Sequence, residues 1–580
     1  MLDSLSKIEC EIMKKRGFAS EEEMLAFLNK DPKSLPKFSS LRDGKRVLKG
    51  ILEAVEENCT FTVYGDYDAD GVMAMTILCK GLSKLCPGKI NWFANDRFRD
   101  GYSITPESLG QLLERYPDTK VIISCDNGVS AVEAWEEALK RGIRVFVTDH
   151  HEQAEGREPD EAVPVVCEKS LKQKEDYDLA GREAEGFCGA ELARRLILEL
   201  FEMKGMEEEY RDFLDSLYAY AGLATITDVI KLNAGNHSVA RAAMDIIRKD
   251  TGFWRIFNER VTSGNTVQSE IDGDTFGFYY GPAINACGRV DGRVDLPMKV
   301  FLTDVDDGAL PGLIEKMAAI NDERKKQTEE DVSLCEKIIR EKGYEEDPFI
   351  LIADERLREG INGLSAGRIS NNYGVPAIVL GASEREGICK GSARSVDRVN
   401  IFEKLTECGD LLETFGGHPK AAGLSIKTEN IPEFRRRMME SIAKDLVRKE
   451  VSSDESDFNL LPSRFSASNI QKLQTALDNL QPYGEGFRKP VFFLDESADP
   501  ERGVRYMSEG AHAKLRLSTL SADKKEIWLM MWGKGDRVSR AVKECKNREL
   551  HIRGFVHPPE INSFNDSISF QLKPERVRLT

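Results

Sequence analysis

With 580 residues and 41% apolar side chains, the chain is long enough for roughly three to five domains with ordinary cores. A net charge of −17 argues against a simple electrostatic binder of polyanions, and no run approaches the roughly 18 apolar residues of a membrane span. The start, Met1-Leu2-Asp3-Ser4-Leu5-Ser6-Lys7, has no basic segment leading into an apolar one, and the 12 cysteines form no C-x-x-C pair, so a cytoplasmic setting without disulfides or a membrane is expected.

Residues 1–45 are polar, helix-prone and without a motif. Phe61 to Val63 is β-rich and runs into Gly65-Asp66-Tyr67-Asp68-Ala69-Asp70-Gly71, three aspartates at every second position. The apolar run Gly71 to Leu78 then reads as a buried helix. The segment from Arg97 through Arg99-Asp100-Gly101-Tyr102 reads equally as a substrate-positioning element or a surface loop. Val121-Ile122-Ile123 leads into Ser124-Cys125-Asp126-Asn127-Gly128, Ala131 to Arg141 reads as an exposed helix, and Val145-Phe146-Val147 leads into Thr148-Asp149-His150-His151-Glu152. This alternation predicts a parallel sheet with helices on both faces, whose carboxyl strand ends line a ligand crevice. Three such ends carry Asp or His. The chain has only 7 histidines, which singles out the adjacent pair. Carboxylate oxygens with an imidazole suit Mn²⁺ or Mg²⁺ better than a structural zinc. The competing reading is a set of solvated turns, since Asp-Gly and Asn-Gly are ordinary turn pairs.

Periodic, charged sequence from about Leu313 to Lys342 predicts a long helix joining two lobes, within a linking segment at 301–346. It would separate a first α/β domain at 46–300 from a second at 347–450, which opens on Pro348-Phe349-Ile350-Leu351-Ile352-Ala353. A polar, linker-like stretch covers 451–457. Beyond Pro490 the evenly spaced runs at 513–517, 527–532, 551–556 and 567–572 predict a small closed β-barrel within a module at 455–580. Residues 501–580 hold sixteen Lys and Arg against ten Asp and Glu, a net +6 that leaves −23 on the first 500 residues. Among the barrel aromatics Trp528, Trp532, Phe555 and Phe564, interleaved with Lys514, Arg516, Lys534 and Arg553, one or two are expected to meet the bases of a single strand and the rest to be core.

Taken in order, G-D-Y-D-A-D-G, C-D-N-G and D-H-H resemble the DHH phosphoesterase superfamily. Ala224 to Ile230, with Asp228, resembles its fourth motif. Phe276 through Pro282-Ala283-Ile284-Asn285-Ala286-Cys287-Gly288-Arg289 is similar to a stretch of the RecJ branch. Gly391 to Ser395 and Phe415-Gly416-Gly417-His418-Pro419 resemble the DHH-associated domain, and Pro482-Tyr483-Gly484-Glu485-Gly486 the start of the RecJ OB-fold. The resemblance covers roughly 50–575. It departs from the family pattern at Tyr64, where many members carry a metal-binding histidine, at Arg358-Glu359-Gly360 in place of a W-H-x-G-like stretch, at His237 where an arginine is usual, and at Phe487 where an asparagine is.

The resemblance implies a single-strand-specific 5′–3′ DNA exonuclease of repair and recombination, releasing 5′-mononucleotides with two Mn²⁺ or Mg²⁺ ions. Its partners would be single-stranded DNA, a single-strand-binding protein and a helicase. If 66–70 is extended, its aspartates share one face. Asp68 and Asp70 would then hold one ion each, Asp126 would bridge both, and His150 and Asp228 would complete the second ion's ligands, with Asp66 buttressing the loop. Two ions about 3.5–4 Å apart stabilise both oxygens of an in-line displacement. Asp149 would orient a histidine, and His151 would act as donor or general acid at the scissile phosphate. Arg289, Arg368, Ser392 and Arg394 are the expected phosphate contacts. Gly416 and Gly417 would let backbone N–H groups approach another phosphate beside His418. Two rival readings stand beside this one. One is the same chemistry on short oligoribonucleotides or cyclic dinucleotides, whose enzymes typically lack a barrel. The other is a non-catalytic DNA-binding scaffold, which the intact acidic residues oppose.

Overall fold

The computed structural model describes residues 4–179, 186–383, 385–396, 399–445, 456–545, 548–564 and 567–580. The chain divides into two compact units. One comprises Pro36–Asp228 and Ala242–Arg448; the other comprises Met1–Leu35, Val229–Arg241 and Lys449–Thr580.

The first unit opens on a five-stranded sheet, β1 (Phe61–Gly65), β2 (Ile90–Ala94), β3 (Val121–Cys125), β4 (Arg144–Thr148) and β5 (Val165–Val166), in the order β2-β1-β3-β4-β5. Every pairing is parallel. β1 and β3 are buried along their whole length, as their unbroken apolar runs require when helices cover both faces. The chain leaves β1 toward β2 on one side and returns to β3 on the other. The carboxyl ends of β1 and β3 therefore flank the point where strand order reverses.

The strand-to-helix turn after β1 differs from an extended segment. Asp68 caps the Ala69–Leu85 helix, its carboxylate accepting from the Asp70 and Gly71 amides at 3.0 and 3.1 Å. Asp70 is already helical, so period-two alternation does not carry through 66–70. Gly71 is required sterically: a Cβ there would lie 2.5 Å from the Asp66 carbonyl oxygen.

The long helix spans Leu310–Lys342, with Pro311 in its first turn and Gly343 closing it in the left-handed conformation at φ 67°. Its ends serve different cores. Leu310, Ile314 and Met317 are buried at its start, where it lies along the Gly281–Val290 helix. Val332, Cys335, Ile338 and Ile339 join the core of the second lobe. Between them is a polar waist, Asn321 to Thr328.

The second lobe holds a mixed sheet of β6 (Ile350–Ala353), β7 (Ala377–Ala382), β8 (Ile388–Arg394), β9 (Leu412–His418) and β10 (Ala421–Lys427), ordered β6-β7-β8-β10-β9. Arg358 fastens this lobe to the long helix. Its guanidinium pairs with the buried Asp331 carboxylate and with Glu330 at 2.6 Å, and donates to the Gln327 carbonyl at 3.1 Å. The residue that departs from the family pattern there thus has a structural task.

In the other unit two sheets enclose one core. Phe458–Asn459, Phe492–Ala498, Leu550–Val556 and Pro574–Leu579 form one; Val504–Met507, His512–Arg516, Ile527–Met531, Ser567–Leu572 and Glu560–Phe564 form the second. Leu494 and Ile552 from the first meet Leu515, Leu529 and Phe570 from the second. The N-terminal helices belong to this unit. Arg16 donates to Asp457 Oδ2 at 3.1 Å and to the Arg488 carbonyl at 2.8 Å, and Asn479 donates to Glu9 at 2.7 Å. His237 and Phe487, two further departures, meet each other at 5.3 Å beside Phe27. Burial pushes His237 down to about 3, so this imidazole is a neutral packing group bonded to the Leu480 carbonyl.

The barrel aromatics separate sharply. Trp528 and Phe555 are core residues at 4% and 3% exposure, whereas Trp532 is 53% exposed. Trp528 lies between Lys514 and Arg505, at 4.6 and 4.9 Å from its ring centre. The Phe564 side chain lies outside the described residues.

Candidate metal centre

The strand ends, the start of the Ala69–Leu85 helix and the end of the Tyr218–Thr227 helix bring seven acidic and imidazole side chains together. Three groups have ligand atoms mutually close enough for a cation: Asp66, Asp68 and Asp126; Asp126, His150 and His151; and Asp70, His150 and Asp228. Asp126 and His150 are each shared by two of them. Asp126 Oδ1 stands 2.9 Å from His150 Nε2, and the Asp70 and Asp228 carboxylates each stand 3.5 Å from the same nitrogen.

Local backbone explains the convergence. Asp126 takes a left-handed conformation, φ 58°, which turns the chain as it leaves β3; its amide donates to the Thr148 carbonyl at 3.0 Å, so the turn is locked to β4. Asp and Asn adopt this region more readily than other non-glycine residues. Asp70 is held by a helix start, accepting from the Gly189 and Ala190 amides at 2.7 and 2.8 Å. Gly189 itself abuts Asp126, since a Cβ would fall 2.6 Å from the Asp126 Cβ. Asp228 is the residue that ends the Tyr218–Thr227 helix.

These residues fit a divalent-metal pair on the chemistry of the donors. Asp66 Oδ1, Asp126 Oδ1 and both ring nitrogens of His150 are buried without a hydrogen-bond partner. Asp126 and His150 therefore approach closely without bonding, as two lone-pair donors facing a common cation would. Burial, and then mutual repulsion, raise the carboxyls: Asp126 through burial, Asp70 and Asp68; Asp66 through burial and Asp68; Asp228 through burial, Asp70 and Asp68 to about 8. Burial takes His150 down to about 4, leaving it the neutral imidazole a metal binds. Each of these costs falls when cations sit among the carboxylates.

Asp149 and His151 form a separate pair. Asp149 Oδ1 accepts from His151 Nδ1 at 2.8 Å and from the His150 and His151 amides at 2.7 and 3.1 Å; its Oδ2 accepts from the Val129 amide at 2.9 Å. Burial alone would raise this carboxyl and lower the imidazole. Their hydrogen bond reverses both, holding Asp149 at about 2 and lifting His151 to about 9.

Across from the carboxylates stand arginines. Gly360 of the second lobe packs against the Arg289 backbone, 2.0 Å from Cβ position to carbonyl oxygen. Arg394 Nη2 and Ser392 Oγ lie over Gly363, 2.7 and 3.3 Å from where its Cβ would be. Burial, then Arg97, Arg394 and Arg324, pull Arg289 down to about 9, and Arg324 in turn feels Arg368. Among the described residues, Arg97, Arg289, Arg368 and Arg394 make no ion pair with a carboxylate. Arg97, from the segment that reads equally as substrate-positioning or as a surface loop, joins this group, as does Arg324 from a helix face without a motif. Asp66, expected to buttress the loop, stands in a potential ligand group with Asp68 and Asp126.

Gly416, Gly417 and His418 lie on the edge strand β9, in register with Gly423, Ala422 and Ala421. Gly417, at φ 144°, leaves only 2.4 Å between its Cβ position and the Ala421 oxygen, so strand contact alone requires this glycine. The three residues are exposed on the second lobe, and through β10 Gly416 and His418 stand in the same cross-strand rows as Ser392 and Arg394. Tyr64 points away from the carboxylates into the core beside Phe93 and Trp135.

A parallel sheet with this donor set, followed by a companion α/β lobe, coincides in place and order with the family models that the chain matches. Its residues 60–224 match the N-terminal domain of the DHH family, 347–444 the DHHA1 domain and 458–576 the RecJ OB domain. The chain is 27% identical over 521 residues to the single-stranded-DNA-specific exonuclease RecJ of Bacillus subtilis, covering 89% of this chain and 62% of that protein's length. It is 28% identical over 571 residues to the Thermus thermophilus protein of the same description, covering 97% and 74%. The crystal structure of RecJ in complex with Mn²⁺ from Thermus thermophilus superposes with a TM-score of 0.72 at 23% identity, over 99% of this chain and 78% of that one.

Proposed function

We propose that this chain is a metal-dependent exonuclease that removes 5′-mononucleotides from single-stranded DNA. The observation that carries the reading is the set of ligand groups sharing Asp126 and His150, near arginines that make no ion pair with a carboxylate among the described residues. Asp68, Asp70, Asp126, His150 and Asp228, joined by Asp66, would hold two ions, Mn²⁺ or Mg²⁺. Bound ions supply Lewis acidity to the phosphoryl oxygens and make water a nucleophile near neutral pH.

The chain's own groups do the rest. Asp126 ties the ligand groups together, because it stands in two of them. Asp149 fixes the His151 ring by accepting from Nδ1, which leaves Nε2, beside the Tyr102 hydroxyl, as the nitrogen from which a proton would pass to the departing oxygen. Arg289, Arg368, Arg394 and Ser392 would neutralise a phosphate held between the lobes. Guanidiniums without a carboxylate partner are well suited to this, since they offer forked donors to phosphate oxygens; Arg394 commits only Nη1, to the Ala393 carbonyl. Gly416, Gly417 and His418 would contact the strand further along, at the β9 edge. Trp532 and its basic neighbours would supply a stacking surface for unpaired bases.

The DNA substrate is supported by the likeness to proteins described as single-stranded-DNA-specific exonucleases; the 5′–3′ direction, a cytoplasmic setting and association with a single-strand-binding protein and a helicase are what the family resemblance implies. The C-terminal module favours a long strand over a cyclic dinucleotide or short oligoribonucleotide. The deciding experiment digests single-stranded DNA labelled at either end, with Mn²⁺ and with chelator. Mononucleotide released first from the 5′ label, and only with metal, is the expected result. Release from the 3′ label, or none from DNA with metal present, contradicts the reading.

A further inference from the structure

His150 and His151 differ in what holds them. The His150 side chain is 6% exposed and packed; that of His151 is 36% exposed. Packing alone does not set the His151 rotamer, yet its ring is tied at both nitrogens. Asp149 holds Nδ1, and the Tyr102 hydroxyl lies 3.1 Å from Nε2. The Tyr102 and His151 rings also meet edge to face at 5.6 Å. A phenol both donates and accepts, so this bond serves either protonation state of the imidazole.

Tyr102 is itself exposed, and a second set of bonds fixes it. Its carbonyl accepts from Asn127 Nδ2 at 2.9 Å, tying it to the residue after Asp126. The carbonyls on either side, Gly101 and Ser103, accept from Asn95 Nδ2 at 3.2 and 2.9 Å. Asn95 Oδ1 accepts from the Tyr64 hydroxyl at 2.5 Å, and that hydroxyl lies 2.7 Å from Ser108 Oγ. Tyr64, Asn95 and Ser108 are all buried. A buried amide bonded through both its oxygen and its nitrogen has one orientation, so the loop has one as well.

We infer that Tyr102 is a positioning residue for His151, and that Tyr64, in the interior of β1, sets Tyr102 through Asn95. The inference rests on the hydrolytic reading of the site. It gives the hydroxyl of a core residue a share in the chemistry although it touches neither metal ligand nor substrate.

Tyr102→Phe keeps the ring and removes the hydroxyl. Its kcat on a short single strand should fall about 10- to 100-fold, the usual loss when a group orienting a functional side chain is removed. KM should stay within about twofold, because uniform binding is untouched. Tyr64→Phe should lower kcat in the same direction by less. The double variant should be no slower than Tyr102→Phe, since both act on one ring. An unchanged kcat in Tyr102→Phe, a rise in KM alone, or full additivity in the double variant overturns the inference. A second readout needs no turnover: ¹⁵N resonances of the His151 imidazole should move in both single variants, with melting temperatures recorded to establish that each is folded. If the wild-type chain proves inactive, the functional reading fails, and these resonances alone decide the chain of contacts: stationary in either folded variant, they overturn it.

Discussion

Asp70 and Asp126 are equally buried in one cluster and are held in opposite ways. Asp70 receives two backbone amides from a helix start, which meet part of its charge although burial still raises its carboxyl. Asp126 hangs from a left-handed turn with one oxygen that meets no donor. One side of the centre is preorganised by the chain; the other is left for a cation to complete. Buried carboxylates without donors are costly, so the Asp126 side is where metal binding and stability should be most tightly linked.

The sharpest way to break this contrast is Asp126→Asn. Asparagine tolerates the turn but removes the shared charge. We expect at least about a 10³-fold loss of turnover, comparable to losing a principal electrostatic stabiliser, with the fold retained. Near-normal rates with metal present would show that the two ligand groups do not depend on one another through Asp126. Gly189→Ala tests the contact between the two sides. The added methyl must displace Asp126, while the amides that hold Asp70 remain. Mn²⁺ affinity by calorimetry should fall about 10- to 100-fold, as for losses of groups that orient a ligand; an unchanged affinity would mean the sides are independent.

Trp532→Ala leaves the centre alone and probes the C-terminal unit. Affinity for a long single strand should drop by about 1–3 kcal/mol, with hydrolysis of very short strands preserved. The change should be read against salt, where each lost phosphate contact of the module shifts the slope by about 0.7. Substitution is the right tool, because cutting away the C-terminal residues would strip Arg16 and Glu9 of Asp457 and Asn479, their partners in the same unit. An equal loss on short and long strands would place Trp532 in the wrong role.

The smallest effect is on stability. A raised carboxyl keeps its proton in the folded chain above the pH at which the unfolded chain releases it, near about 3.9. The folded state then binds more protons, so stability falls as pH rises. For Asp228 the window runs from about 4, the ordinary carboxyl value, to about 8. Metal-free protein should therefore lose a few degrees of melting temperature across this range, and saturating Mn²⁺ should flatten the dependence. A metal-free melting temperature that rises over the same window would remove the repulsion argument.

Much of the centre was legible because its ligands cap strands. Apolar runs ending in Asp or His mark a crevice wherever the sheet is parallel, and β1, β3 and β4 end as those runs implied. What stayed hidden has no local signature. The helix amides on Asp70 come from residues more than a hundred positions away. The arginine group is assembled from loops and helix faces of both lobes. Trp528 and Trp532 sit four residues apart in one apolar run, and only the tertiary contacts bury the first and leave the second bare. The assignment of Met1–Leu35 to the C-terminal unit depends on single polar pairs such as Arg16 with Asp457, which no periodicity announces.

The long helix has a mechanical consequence. Its 33 residues, at about 1.5 Å each, make a rod about 50 Å long, uninterrupted by proline or glycine beyond its first turn. One end is cemented into the core beside the Gly281–Val290 helix, the other into the second lobe, which Arg358 clamps to the same rod. The tie after Gly343 therefore cannot act as a free hinge. Flexure on any parting of the lobes is expected in the part of the polar waist ahead of that clamp, Asn321 to Lys326, where Arg324 bonds Asn321 and faces Arg368. Amide exchange should accordingly be fastest there among the helix interior turns, and should slow when a phosphate fills the arginine group. A uniformly protected rod would mean that the two lobes travel as one body.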